Sequence, residues 1–85
     1  MNKKELHVYW NNNIENKGRP VESVEEAIEQ IREWSKEDDD AGDLITYNSG
    51  GLEEKDEDGD YVEYYDEMGR DVMDIIREQD EEEDE

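Results

Sequence analysis

The segment SVEEAIEQIREW, residues 23–34, carries the strongest fold signal in the chain. Ser23 suits a helix N-cap because its hydroxyl can accept hydrogen bonds from first-turn backbone N–H groups, and Glu26 can reach back as in a capping box. Apolar residues then recur at three- and four-residue intervals, which places them on one stripe of a helix. We therefore predict a long helix packed against a sheet through Val24, Ala27, Ile28, Ile31 and Trp34.

The segments that flank this helix predict a strand, a loop and a helix end. LHVYW, residues 6–10, is rich in strand-forming residues whose apolar side chains alternate. Residues 11–20 contain asparagines, a glycine and the only proline, which indicates a loop of irregular backbone. The helix is expected to end within residues 37–43, with Gly42 as a C-terminal cap or loop glycine.

The segments after the helix predict a hairpin. DLITYN, residues 43–48, reads as a second strand with Ile45 and Tyr47 facing inward. The glycine-rich, acidic residues 49–59 are expected to form a flexible connection. YVEYY, residues 61–65, is then the third strand, paired with the second.

The C-terminal part predicts a short helix and a tail. Asp71 can cap a helix over the apolar residues 72–76, and a fourth strand there is the alternative. Residues 79–85 carry almost only negative charge and are expected to be a disordered acidic tail, which leaves residues 1–78 as a single small acidic domain. The fold class is therefore α+β, with a small antiparallel sheet of about three strands packed by one long helix.

The charge of the chain is its most unusual bulk property. Thirty acidic residues against nine basic ones give a net charge of −21 in 85 residues, far beyond the roughly 2–8 units that keep a small domain soluble. Self-repulsion of this size disfavours the compact state, so we expect a function that offsets it. Salt adaptation is a weaker explanation, because the chain has only two alanines beside many asparagines and isoleucines.

The same charge limits the class of partner. Nucleic acid and anionic membranes carry the same sign as the protein, so neither is expected to bind directly. No segment approaches the roughly 20 apolar residues of a membrane span, and the N-terminal residues lack a run of signal-peptide length. A cytoplasmic protein in a host bacterial cell is the resulting expectation, with a basic nucleic-acid-binding protein or nuclease complex as its partner.

The run EKDEDGD, residues 54–60, resembles part of an EF-hand calcium loop. With Gly59 at the sixth position, the twelfth position holds Tyr65, so the bidentate glutamate that closes such a loop is missing. Asp58 and Gly59 instead favour a hairpin turn. No metal or other cofactor is predicted, and the cation-binding capacity of residues 56–60 stays open.

The sequence offers no catalytic constellation. His7 is the single histidine and there is no cysteine, so neither a triad nor a zinc site of the common kinds can be assembled. A catalytic carboxylate pair requires a pocket that separates the two pKa values, and a chain with 31% hydrophobic residues has little core in which to form one. We predict that the chain is not an enzyme.

The predicted helix instead carries a row of carboxylates. Glu22 lies just before the cap, and Glu25, Glu29 and Glu33 follow at four-residue intervals from one to the next, which sets neighbouring side chains about 6 Å apart and approaches the phosphate spacing of a nucleic-acid strand. Like charges at this spacing destabilise a helix, so the row does not serve the helix itself. The predicted partner-binding residues are Glu22, Glu25, Glu26, Glu29, Glu33, Glu37, Asp38, Asp39, Asp40, Asp56, Glu57, Asp58, Asp60, Tyr61 and Tyr65.

Three functions fit such a surface. A DNA mimic would occupy the basic groove of a host defence or DNA-processing protein and gain the counterion release that drives DNA binding. An immunity protein or antitoxin would cap a basic nuclease toxin through a few hot-spot residues, and an acidic interaction module would recruit a basic protein. In size and composition the chain resembles the small acidic inhibitors that phages use against restriction enzymes, glycosylases or CRISPR effectors, which implies the first function.

Overall fold

The structure, a computed structural model, describes residues 5–83. The elements are β1 (Leu6–Asn12), β2 (Asn16–Val21), α1 (Val24–Ala41), a 3₁₀ turn (Gly42–Leu44), β3 (Asn48–Lys55), β4 (Tyr61–Glu63) and α2 (Val72–Glu83). The four strands form one antiparallel sheet in the spatial order β2-β1-β3-β4, so the predicted α+β fold is confirmed with one strand more than expected. Within residues 5–83, no helix combines the length and apolar character that crossing a membrane requires.

Helix α1 begins and ends where the sequence predicts. The Ser23 hydroxyl accepts a hydrogen bond from the Glu26 backbone N–H at 3.1 Å, and the Glu26 carboxylate accepts one from the Glu22 N–H at 2.9 Å, one residue earlier than in a standard capping box. Gly42 closes the helix with a φ of 65°, a conformation that favours glycine. The predicted apolar stripe packs against the sheet, with its Ala27, Ile28, Ile31 and Trp34 buried and Val24 half-buried at the edge of the core.

The second strand replaces the loop predicted for residues 11–20. Asn12 accepts hydrogen bonds from the backbone N–H groups of Ile14 and Glu15, which forms a tight turn and leads the chain back along β1. Proline is tolerated in β2 because this is an edge strand, where a ladder hydrogen bond is not required of every residue. The prediction of a loop was wrong because glycine and proline indicate only local backbone preferences, whereas β2 is a strand because it pairs with β1.

The third strand lies later in the chain than predicted. Residues 43–47 of this predicted strand are not a strand: they begin in the 3₁₀ turn, Ile45 is only half-buried, and Tyr47 is 61% exposed. The strand begins at Asn48 and includes most of the segment predicted as a flexible connection. Its Leu52 is fully buried between β1 and the helices, so the strand is central to the core.

Two adjacent glycines explain why this polar segment can be a central strand. A Cβ on Gly50 would lie 2.3 Å from the Trp10 ring and 2.9 Å from the Tyr9 carbonyl oxygen. A Cβ on Gly51, which faces the other side of the sheet, would lie 2.4 Å from the Tyr9 hydroxyl. The glycines therefore leave room for one aromatic side chain of β1 on each face of the sheet.

This difference predicts unequal effects of two neighbouring substitutions. Gly50→Ala should destabilise the fold by about 3 kcal/mol, the upper end of overpacking effects, because buried Trp10 and a backbone oxygen must both move. Gly51→Ala should cost only about 1 kcal/mol, because the Tyr9 side chain can rotate away and lose one hydrogen bond. Urea denaturation measures both, and equal losses would contradict this account of the glycine pair.

The chain then uses the same turn twice, ten residues apart. In the first, the Asp56 side chain accepts hydrogen bonds from the backbone N–H groups of Asp58 and Asp60, both at 2.9 Å, and Gly59 has a φ of 89°. In the second, Asp66 accepts them from Met68 and Arg70, also at 2.9 Å, and Gly69 has a φ of 79°. The first turn joins β3 to β4, so the predicted hairpin turn at Asp58 and Gly59 is confirmed.

The C-terminal segment is a helix, which decides between the two alternatives for residues 72–76. Asp71 caps it by accepting a hydrogen bond from the Asp74 backbone N–H at 2.9 Å. The helix continues to Glu83, so residues 79–83 are helical instead of forming the predicted disordered tail, and the rest of that tail lies outside the described residues. Arg32 of α1 holds this part of α2 through Asp80 at 3.0 Å and Gln79 at 3.3 Å.

Candidate functional site: an acidic face on helix α1

Three carboxylates form a row on the solvent side of α1. Glu25, Glu29 and Glu33 are all exposed, and none forms an ion pair within residues 5–83. At 3.6 residues per turn they span an arc of about 80°, with a rise of about 6 Å between neighbours. Glu22 is also exposed and precedes the N-terminal end of the helix. The caps and the buried stripe hold these side chains on a rigid scaffold.

The remaining acids of α1 have different roles. Glu26 is half-buried, and its pKa is lowered by the hydrogen bond from the Glu22 backbone and, against the effect of burial, by Arg19. Glu37 pairs with Lys17 at 3.1 Å. Both are committed to contacts inside the fold. Asp39 and Asp40 are exposed and have no ion pair in the described part of the chain. Asp40, seven residues after Glu33, extends the row toward the C-terminal end of the helix, whereas Asp39 lines a groove beside α2.

Asp38 does not belong to the exposed surface, which corrects its assignment as a partner-binding residue. Only 6% of it is exposed. Its carboxylate accepts hydrogen bonds from the Trp10 indole at 2.7 Å, from the Asn12 amide at 3.1 and 3.2 Å, and from the Asn48 amide at 3.2 Å. Burial would raise the pKa of Asp38, but these hydrogen bonds and the charge of Lys17 outweigh burial and lower it. Asp38 therefore joins α1 to β1 and β3 as an ionised structural group.

The basic side chains are directed toward other elements of the fold. Within residues 5–83, every lysine and arginine except Lys36 forms an ion pair. Most of these pairs connect different segments, so the cations brace the fold and leave the exposed carboxylates uncompensated. Lys36 is exposed between Glu33 and Asp40 and is the one positive charge within the row. The bracing pairs are Lys17–Glu37, Arg19–Glu26, Arg32–Asp80, Lys55–Glu5, Arg70–Asp66 and Arg70–Glu78.

The predicted residues of the β3–β4 hairpin form a second surface. Strand β4 pairs with β3, reaches β1 through the side chains of Tyr61 and Glu63, and packs against neither helix of residues 5–83, so Tyr61 and Tyr65 lie on a different part of the molecule from the α1 row. One carboxylate oxygen of Asp56 accepts backbone hydrogen bonds within its own turn, whereas Glu57, Asp58 and Asp60 are exposed. Within residues 5–83, no three histidine or acidic side chains converge into a group that could hold a metal ion. The structure thus divides the predicted site into two separate acidic regions.

The outer face of the sheet carries a pair that the sequence did not reveal. The Tyr9 hydroxyl donates a hydrogen bond to the Glu63 carboxylate at 3.3 Å. Burial and the charge of Glu63 raise the pKa of Tyr9 to about 12. Burial, together with the charges of Asp71 and Glu53, raises the pKa of Glu63 despite the hydrogen bond from Tyr9. Only the strand register brings these residues together, and the register could not be known while β3 was misplaced.

An open groove runs between α1, α2 and the start of β3. Its walls include Trp10, Ile31 and Met73 and the ion pair of Arg32 with Asp80. The one buried carboxylate in the groove is Asp38, and its lowered pKa suits an ionised structural group better than a proton donor. The absence of enzymatic activity stays a prediction.

Comparisons with protein-family models, with curated proteins and with solved structures find no match to this chain.

Proposed function

We propose that the protein is a nucleic-acid mimic, encoded by a phage or mobile element, that blocks the basic groove of a host defence or DNA-processing protein in the bacterial cytoplasm. The observation that carries the proposal is the exposed row of Glu25, Glu29 and Glu33, which has no compensating ion pairs among the described residues. A groove that binds phosphates with lysines and arginines presents the complementary charge to such a row.

The placement of the cations supports this function. A small domain can reduce its own repulsion by putting basic side chains among its surface acids, as natural surfaces usually do. Here five of the seven described cations instead form pairs that connect different segments of the fold, such as those with Glu26 and Glu37. The repulsion among the carboxylates that remains on the α1 face lowers the stability of the fold. When a basic groove covers this face, attraction to the cations of the groove outweighs that repulsion.

The test is a capture experiment from bacterial lysate with the full chain as bait, immobilised through its C-terminus. One half of the captured material is eluted with duplex DNA and the other half with high salt. A nucleic-acid-binding protein released by DNA supports mimicry. A partner that resists DNA contradicts it and favours the immunity-protein alternative, and a mixture of unrelated basic proteins would show that charge alone explains the binding.

The affinity for the captured partner should fall steeply with salt. Four phosphate-like contacts through Glu22, Glu25, Glu29 and Glu33 imply a loss of roughly a hundredfold between 50 and 200 mM salt, at a slope of about 0.9 per contact. Titration of the labelled partner at several salt concentrations measures this slope. An affinity that changes less than about threefold would contradict an interface built on the row.

A further inference from the structure

We propose that the free edge of β4 binds a basic, extended peptide segment of a partner protein as a fifth strand of the sheet. This surface is separate from the α1 face, and its test does not depend on the function proposed above. Strand β4 (Tyr61–Glu63) is at one edge of the sheet and pairs only with β3 among the described strands, while its Tyr61 and Glu63 side chains reach His7 and Tyr9 across the outer face.

The pairing register shows which backbone groups face outward. The Asp56 N–H donates to the Asp60 carbonyl at 2.8 Å and the Tyr64 N–H donates to the Leu52 carbonyl at 2.9 Å, so alternate residues of this hairpin are hydrogen-bonded across it. Tyr61 and Glu63 occupy the intervening positions, opposite Lys55 and Glu53. In an antiparallel pair, the N–H and C=O groups of such residues point away from the partner strand. Each of these two residues therefore presents one donor and one acceptor to the open edge.

The two edges of the sheet are protected to different extents. Strand β2, the other edge, contains Gly18, Pro20 and two cationic residues, all of which hinder pairing with another strand. Strand β4 has no proline or lysine, and Tyr61 and Val62 are 46% and 42% exposed. Its protection is limited to a length of three residues and the charge of Glu63, so β4 is the more open of the two edges.

The negative charge around β4 indicates which kind of segment can bind at this edge. Glu57, Asp58 and Asp60 precede the strand and Glu67 follows it, and all four are exposed. A second copy of this chain would bring its own acids against them, whereas a segment with alternating lysine or arginine residues would neutralise them. Beyond the strand, Tyr65 and Met68 are 58% and 77% exposed and offer apolar contact to the aliphatic parts of such side chains. The occupant is accordingly a basic extended segment added by β-augmentation.

The experiment must separate strand addition from simple charge attraction. The probe is a short synthetic peptide of alternating lysine and valine, and its control is the same peptide with alternate backbone nitrogens methylated, which keeps the charge and removes hydrogen-bond donors. Strand addition predicts at least a tenfold weaker affinity for the methylated peptide and slowed hydrogen exchange at the Tyr61 and Glu63 N–H groups with the parent peptide. Equal affinities for the two peptides would overturn the proposal.

A matched pair of variants gives an independent result. Glu63→Pro removes one outward N–H, and Glu63→Thr keeps that N–H while also losing the carboxylate that Tyr9 contacts. The proline variant should bind the parent peptide about tenfold more weakly than the threonine variant, with both folded by circular dichroism. Equal binding by the two variants would contradict strand addition, and self-association of the natural chain that Glu63→Pro abolishes would show that the occupant is a second copy instead.

Discussion

Charge reversal of Glu25, Glu29 and Glu33 to lysine should abolish capture of the DNA-displaceable partner. The three substitutions change the net charge of one face of α1 by six units. A basic groove would then meet lysines in place of carboxylates, so attraction becomes repulsion. Because all three side chains are exposed and have no ion pair within the described chain, the fold should be retained. Lysate capture measures the loss, and circular dichroism measures the helix content.

A matched control separates the location of the charge from its total. Glu29→Lys with Glu33→Lys and Glu67→Lys with Glu81→Lys both change the net charge by four units, and all four residues are exposed. The first pair should reduce capture strongly, whereas the second, off the α1 row, should leave most of it. If both pairs reduce capture to the same extent, only net charge matters and the α1 face is not the interface.

Asp38→Ala should remove most of the stability of the protein. The substitution leaves two buried donors, on Trp10 and Asn12, without their acceptor and also takes an acceptor from exposed Asn48, and an unsatisfied buried donor costs about 1–3 kcal/mol. A total loss of about 3–5 kcal/mol approaches the whole stability of a small domain. Urea denaturation followed by tryptophan fluorescence measures it. Asp39→Ala, an exposed neighbour in the same acidic run, is the control and should change stability by less than about 0.5 kcal/mol.

The same carboxylate gives a pH dependence with a defined sign. The pKa of Asp38 is lower in the folded protein than the ordinary value near 3.9, so the folded state binds this proton less tightly than the unfolded state does. Its contribution to stability is therefore present above about pH 4 and is lost as the pH falls through the lowered pKa. Asp38→Asn removes this titration and should flatten the acid limb of the stability curve. An unchanged acid limb would show that other carboxylates dominate acid unfolding.

The parts of the fold that the sequence predicts well are those whose signals are local. Ser23, the apolar stripe and Gly42 define α1 without reference to any other element, and the structure places the helix accordingly. Strand β3 has one large apolar residue, Leu52, and two glycines that locally indicate a loop. It is a strand because β1 and β4 pair with it on both sides and because aromatic side chains cover the glycines. Those causes are tertiary and leave little trace in the segment itself.

In the candidate site, too, local sequence signals predict some features, and others depend on tertiary contacts. Nothing in the composition of the run Glu37–Asp40 distinguishes one acid from the next, which is why Asp38 was grouped with its exposed neighbours. Its position does distinguish it, because Asp38 follows Trp34 by four residues and so continues the buried stripe. The two similar turns begin with Asp56 and Asp66 and could also have been recognised from the shared pattern Asp-Glu-x-Gly. The position of the β3–β4 hairpin away from α1 could be predicted only with the order of the strands in the sheet.

The isolated position of Lys36 has a practical consequence for the chemical labelling of this protein. Among the lysines of residues 5–83, Lys17 and Lys55 have their ammonium groups in ion pairs, so Lys36 is the amine most open to acylating reagents. A fluorophore, biotin or sensor surface attached at Lys36 would therefore lie on the carboxylate row itself. Such a conjugate would hide the interface that the assay is meant to detect, and a site-specific tag at the far end of the chain avoids this artefact.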